Sequence, residues 1–125
     1  MYINEQNFSI WCDFVERDFL DTGFKSYIEE GVVSGATSNP SIFFEAISKS
    51  PSYISRIREL AEFDTKTVYE TLAIEDIRKA ASILRPTHES KNDGFVSLEI
   101  DPMLCDKVKE SVIEGERLYA KIGMP

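Results

Sequence analysis

The sequence predicts an α/β fold built on parallel strands. Three observations lead there. First, three short apolar runs each end in one polar group: Trp11-Cys12-Asp13, Val32-Val33 running into Gly35-Ala36-Thr37-Ser38-Asn39-Pro40-Ser41, and Leu98-Glu99-Ile100-Asp101. Second, strand-like and helix-like patterns alternate in the order β-α-β-α-α-α-β-α, and such alternation joins parallel strands by crossovers. Third, the strand candidates carry apolar residues in both parities or cover one whole face, as strands packed under helices do.

The elements follow in order. Residues 8–13 (Phe8, Ser9, Ile10, Trp11, Cys12, Asp13) read as the first strand. Residues 15–20 and 24–30 read as a helix, with Phe24 and Ile28 one turn apart and Gly31 as its stop. Residues 32–37 form the second strand. Asn39-Pro40 opens the next helix, Asn as cap and Pro in the first turn. Ser50-Pro51 repeats that signature before a short helix carrying Tyr53, Ile57 and Leu60. Asp64-Thr65, with Thr67 and Glu70, resembles a capping box. The helix it opens has an apolar stripe at Tyr69, Ala73, Ile77, Ala80 and Leu84, an outward Glu75–Lys79 pair, and Pro86 as its predicted end. Lys91-Asn92-Asp93-Gly94 is a turn, residues 95–101 the third strand, and Asp101-Pro102 its break. The last helix carries Cys105, Val108, Val112, Gly115, Tyr119 and Ile122 at helical spacing.

Side chains alternate across a strand. Val96, Leu98 and Ile100 share the face expected under helices, while Phe95, Ser97, Glu99 and Asp101 share the other. Gly35, Thr37 and Asn39 share a parity, as do Ser9, Trp11 and Asp13. Each strand therefore offers one face ending in a group that can do chemistry: Asp13, Thr37 with Asn39, and Glu99. Such groups converge where strand ends meet helix starts, the usual ligand site of α/β proteins. Each also has a structural alternative. Asn39 can simply cap the helix at Pro40. Asp13 and Asp101 can cap the segments that follow them. Glu99 is costly to bury unless paired or used, and a structural ion pair is its alternative. His88 follows a helix, among Thr87, Glu89 and Ser90, and is given no role.

Composition narrows the partners. The chain has 125 residues and a net charge of −8, with its basic residues scattered among more numerous acids. Nucleic acid and anionic membranes need clustered Lys and Arg, so neither is an expected partner. No apolar run approaches the ~18 residues of a membrane span. Met1 to Asn7 lacks the basic and apolar regions of a secretory signal, which places the chain in the cytoplasm by default. Cys12 and Cys105 make no disulfide scaffold and, with His88, lack zinc-site spacing, so no metal is expected.

Four segments carry a family resemblance: Ser9-Ile-Trp-Cys-Asp-Phe-Val-Glu-Arg-Asp-Phe-Leu20, Gly35-Ala-Thr-Ser-Asn-Pro-Ser-Ile-Phe43, Leu72-Ala-Ile-Glu-Asp-Ile77 and Asp93-Gly-Phe-Val-Ser-Leu-Glu-Ile-Asp-Pro102. Together they resemble transaldolases of the long bacterial type. The resemblance implies a (β/α)₈ barrel, of which this chain is the amino-terminal part. Residues 1–125 would form about the first three β/α units, with extra helices, of a single domain. It implies transfer of a dihydroxyacetone unit between sugar phosphates, from sedoheptulose 7-phosphate and glyceraldehyde 3-phosphate to erythrose 4-phosphate and fructose 6-phosphate. The ketose is held as a lysine Schiff base, with no metal or cofactor. By position, Asp13 would be the acid/base at carbon–carbon cleavage. Glu99 would act through a water in forming and hydrolysing the Schiff base. Thr37 and Asn39 would line the pocket and hold substrate hydroxyls.

One part of the family pattern is absent. The Schiff-base lysine belongs to the next strand, and the later phosphate-binding residues lie beyond it. The lysines here, Lys25, Lys49, Lys66, Lys79, Lys91, Lys107, Lys109 and Lys121, all fall in predicted helices or loops. A barrel typically takes ~250 residues, so three strands leave an open edge and an uncovered face that allow self-association. The chain alone is expected to be inactive. The alternatives are a truncated barrel kept as a binding or regulatory module, and a non-functional truncation product.

Overall fold

The computed structural model describes residues 8–125. The reading of Met1 to Asn7 lies outside the described residues. Within them, a mixed α/β arrangement surrounds a small parallel sheet in the order β1-β2-β3. The strands are β1 (Trp11–Cys12), β2 (Gly35–Ser38) and β3 (Val96–Leu98). Register pairs Trp11 with Gly35, Cys12 with Ala36, Ala36 with Val96, Thr37 with Ser97, and Ser38 with Leu98.

All three strands are shorter than predicted. The start of β2 shows why. Val32 and Val33 spend their N–H groups on the Tyr27 carbonyl, at 2.9 and 3.2 Å, closing the preceding helix. They have none left for a ladder. Single bonds extend the pairing past the strand ends: Ser34 N–H to Ile10 O at 2.9 Å and Gly94 N–H to Ser34 O at 2.9 Å.

Helix α1 spans residues 17–29 and is not uniform. An α turn (Arg17–Phe19) leads into a π segment (Leu20–Phe24) and back to α (Lys25–Glu29). The π segment places Leu20 and Phe24 fully inside the core. Helix α2 (Pro40–Lys49) is capped by Asn39, whose Oδ1 accepts from the N–H groups of Ser41 and Ile42. A 3-10 turn (Pro51–Tyr53) precedes α3 (Ile54–Glu59). Ser50 does not cap that turn as its sequence signature predicts. Its hydroxyl donates instead to Glu16 Oε1 at 2.8 Å.

Helix α4 (Thr65–Lys91) is capped by Asp64, which accepts from Thr67 N–H. Glu70 is not part of that cap; it pairs with Arg117 and Lys121. The helix does not stop at Pro86. Proline costs it one hydrogen bond, but Leu84 and Thr87 are buried on either side and hold the last turns against the core. It ends at Asn92, in the left-handed conformation at φ 52°. The expected Glu75–Lys79 pair is absent: Glu75 pairs with Arg17 and Arg56, and Lys79 with Asp21. Helix α5 (Val108–Ile122) begins later than the sequence suggests, because Cys105 closes a 3-10 turn (Pro102–Leu104) and is exposed. Of its predicted stripe, Val108, Val112 and Tyr119 are exposed; the buried residue is Leu118, which lies outside that stripe. Polar groups hold α5 to α4: Arg117 and Lys121 on Glu70, and Arg78 Nε on the Ile122 carbonyl at 2.8 Å.

The sheet packs on one face. Ala36, with Ile10, Cys12 and Val96, joins Val15, Leu20, Phe24, Ala80 and Leu84 in one cluster, and Leu98 packs against Phe43, Tyr53, Leu72 and Ala73 in a second. The opposite parity leaves Trp11 and Phe95 exposed.

Candidate active site

The register stacks the open face in layers. Trp11 and Gly35 lie side by side at the bottom. Thr37 and Ser97 pair in the layer above. Asp13 joins that layer, because Thr37 Oγ1 donates a hydrogen bond to its Oδ1. Two carboxyl-terminal strand corners predicted from sequence thus meet through their side chains.

The lower layer is tightly built. A Cβ on Gly35 would sit 2.5 Å from the Trp11 ring, so the indole lies directly on the glycine backbone. The indole Nε1 donates to Ser9 Oγ at 2.8 Å, and Ser9 donates to Asp93 Oδ2 at 2.7 Å. Burial works against the Asp93 charge, but Ser9, Ser34, Gly94 and Trp11 together hold its carboxyl below the usual range. Sequence analysis grouped Ser9 with Trp11 but found no partner for either, because Asp93 is 84 residues from Ser9.

The other candidates stand apart from this pair. The Asn39 amide oxygen is engaged at the start of α2, so its capping role is realised. Glu99 is exposed, so the desolvation cost that singled it out does not arise here. It lines a cleft of about 240 Å³ with Pro40, Lys66, Tyr69 and Asp101. Burial, and then the Glu99 charge, push the Tyr69 hydroxyl up. Lys66 Nζ lies 3.0 Å from Asp101 Oδ2 in the same cleft, and this contact holds the ammonium above its usual range. Asp101 also caps the 3-10 turn through Met103 N–H.

A polar cluster lies behind the Asp13 loop. Arg17, Tyr53, Glu75 and Asp76 are joined by hydrogen bonds, and Glu16 is bonded to Ser50 and Ser52. The signal for Asp76 was present in the sequence. It lies three residues after Ala73 and four before Ala80, on the buried stripe of α4.

A model of the transaldolase/fructose-6-phosphate aldolase family matches residues 10–125. The chain belongs to this family. The transaldolase of Campylobacter jejuni strain RM1221 is 52% identical over 118 residues, covering 94% of this chain and 36% of the relative. The transaldolase of Helicobacter pylori strain Shi470 is 49% identical over 121 residues, covering 96% of this chain and 38% of the relative. The chain thus spans little more than a third of the length of these transaldolases. Among the described residues, no helix of this family member is long and apolar enough to cross a membrane.

Proposed function

We propose that this chain supplies the acid/base half of a transaldolase site, on the first three β/α units of a (β/α)₈ barrel. The observation that carries the reading is the Thr37–Asp13 hydrogen bond between neighbouring parallel strands. Thr37 occupies one carboxylate oxygen of Asp13 and fixes the plane of the group. Among the described residues nothing else bonds the second oxygen, which is left for a substrate hydroxyl. Asp13 takes that proton as the carbon–carbon bond breaks and returns it when the new bond forms. Glu99 moves protons through a water during formation and hydrolysis of the lysine Schiff base. Thr37 and Asn39 hold sugar hydroxyls, Asn39 through the amide NH₂ that its capping role leaves over.

The substrates are sugar phosphates: a dihydroxyacetone unit passes from sedoheptulose 7-phosphate to glyceraldehyde 3-phosphate, in the cytoplasm, with no metal or cofactor. The lysine is not among these residues. A Schiff-base lysine needs a lowered pKa, and Lys66, in the cleft with Glu99, has the opposite shift. The open face and exposed α5 stripe, with Trp11, Phe95, Val112 and Tyr119 uncovered, support self-association of the chain alone. A fructose-6-phosphate aldolase is the second reading, because the family description includes it.

The test is to purify the protein from its native cells, take its intact mass, and assay it with fructose 6-phosphate and erythrose 4-phosphate. The expected result is turnover in a species heavier than 14.2 kDa. Release of free dihydroxyacetone without an acceptor would select the aldolase. A species of 14.2 kDa alone, without turnover, would select the binding module or the dead product.

A further inference from the structure

We propose that the partly buried Arg17–Tyr53–Asp76 cluster, with Glu16, Ser50 and Ser52, is a positioning network that holds the Asp13 carboxylate against Thr37. This inference rests on the reading of Asp13 as the acid/base group.

Only Phe14, Val15 and Glu16 separate Asp13 from Arg17. The start of α1 therefore fixes where Asp13 can stand. Two sets of contacts pin that start. Glu16 accepts from the N–H groups of Asp18 and Phe19, at 3.2 and 2.8 Å, and from the hydroxyls of Ser50 and Ser52, at 2.8 and 3.2 Å. Ser50 closes α2, the helix that Asn39 opens. Glu16 thereby ties the loop bearing Asp13 to the far end of the helix bearing Asn39.

The second set is deeper. The Arg17 backbone N–H donates to the Tyr53 hydroxyl at 3.0 Å, and that hydroxyl donates to Asp76 Oδ2 at 2.6 Å. Arg17 Nε donates to Asp76 Oδ1 at 2.9 Å, and its guanidinium lies 4.9 Å from the Tyr53 ring centre. Asp76 is 1% exposed. Among the described residues every buried side-chain polar atom has a partner.

Stability alone is a weak account of this cluster. Desolvating a charge pair offsets most of its attraction, and well-packed apolar residues serve as well or better. What directed, fully satisfied hydrogen bonds add is a single geometry. A catalytic group displaced by about 1 Å can lose ~10²-fold in rate.

Tyr53→Phe tests the proposal. It keeps the edge contact with Phe43, at 6.2 Å between ring centres, and removes only the hydroxyl. Hydrogen exchange of the 125-residue chain is read by mass spectrometry. The expected result is about tenfold faster exchange at amides 14–19, with amides 80–91 unchanged. Ser50→Ala, which removes one bond to Glu16, should give a smaller rise in the same segment. It keeps the test decisive if Tyr53→Phe does not fold. A uniform rise along the chain, or none, overturns the proposal.

In a form that turns over, Tyr53→Phe should lower kcat roughly 10- to 100-fold with KM within about twofold. Phe43→Leu, which loosens packing on the Tyr53 ring but removes none of the network's hydrogen bonds, should not reproduce that split. Unchanged kcat in Tyr53→Phe, where Asp13→Asn is inactive, overturns the proposal. Full activity in Asp13→Asn instead overturns the acid/base reading, a separate failure.

Discussion

Thr37 Oγ1 donates to Asp13 Oδ1 across the boundary between two parallel strands. The contact orients an exposed carboxylate with a neutral donor. Two substitutions separate its parts. Asp13→Asn keeps the shape and removes the base, and should lower kcat by ~10²-fold or more in a form that carries the lysine. Thr37→Val keeps the volume and removes the donor, and should cost about tenfold. Steady-state kinetics with fructose 6-phosphate and erythrose 4-phosphate measure both. Equal activity in wild type and Asp13→Asn refutes the role.

Glu99 needs its own test, because its exposure removes the burial argument. Glu99→Gln should slow turnover by ~10²-fold if the group moves protons. Single-turnover trapping of the Schiff base with borohydride should show the loss in its formation rate. Unchanged rates would leave Glu99 as a surface carboxylate on the cleft.

Gly35 is required by Trp11 and not by its own backbone conformation. A Cβ there would lie 2.5 Å from the indole, so Gly35→Ala must move the ring or the strand. The expected cost is about 1–3 kcal/mol in urea unfolding. Trp11 is the sole tryptophan, so the near-UV circular dichroism band reports its displacement directly. An unchanged band and midpoint would contradict the packing described.

Glu70 makes stability depend on acid. Hydrogen bonds from Arg117, at 2.6 and 2.9 Å, and from Lys121, at 2.8 Å, hold its carboxyl down to about 2 from a usual 4.5. A carboxyl lowered in the folded state stabilises the fold at neutral pH, and that contribution is lost as pH falls from about 5 towards 2. Thermal unfolding against pH should show the decline, and Glu70→Gln should flatten it in that window. Salt should weaken the effect, because Arg117 and Lys121 are 43% and 48% exposed.

Much of this was legible in the sequence where local chemistry decides the outcome. The parity of residues 95–101 separated Val96 and Leu98 from Ser97 and Glu99, and the sheet packs on that division. Asn39-Pro40 marked a helix start because a cap and a first-turn proline act within one turn. What the sequence hid depends on distant partners. Pro86 reads as a stop until the burial of Leu84 and Thr87 outweighs one lost hydrogen bond. Glu75 and Lys79 look like a local pair until Arg17, Arg56 and Asp21 arrive from other helices. Ser50 looks like a cap until Glu16, 34 residues away, takes its hydroxyl. The π segment at Leu20–Phe24 has no local signature and follows from seating Leu20 and Phe24 in one core.

The most direct measurement is coupled turnover of fructose 6-phosphate and erythrose 4-phosphate by the pure 125-residue chain. The proposed site joins the Asp13 carboxylate to Thr37, and among the described residues no lysine bonds to either. The account predicts no turnover above background. Turnover by the pure chain would contradict it, and would mean that one of its own lysines carries the ketose.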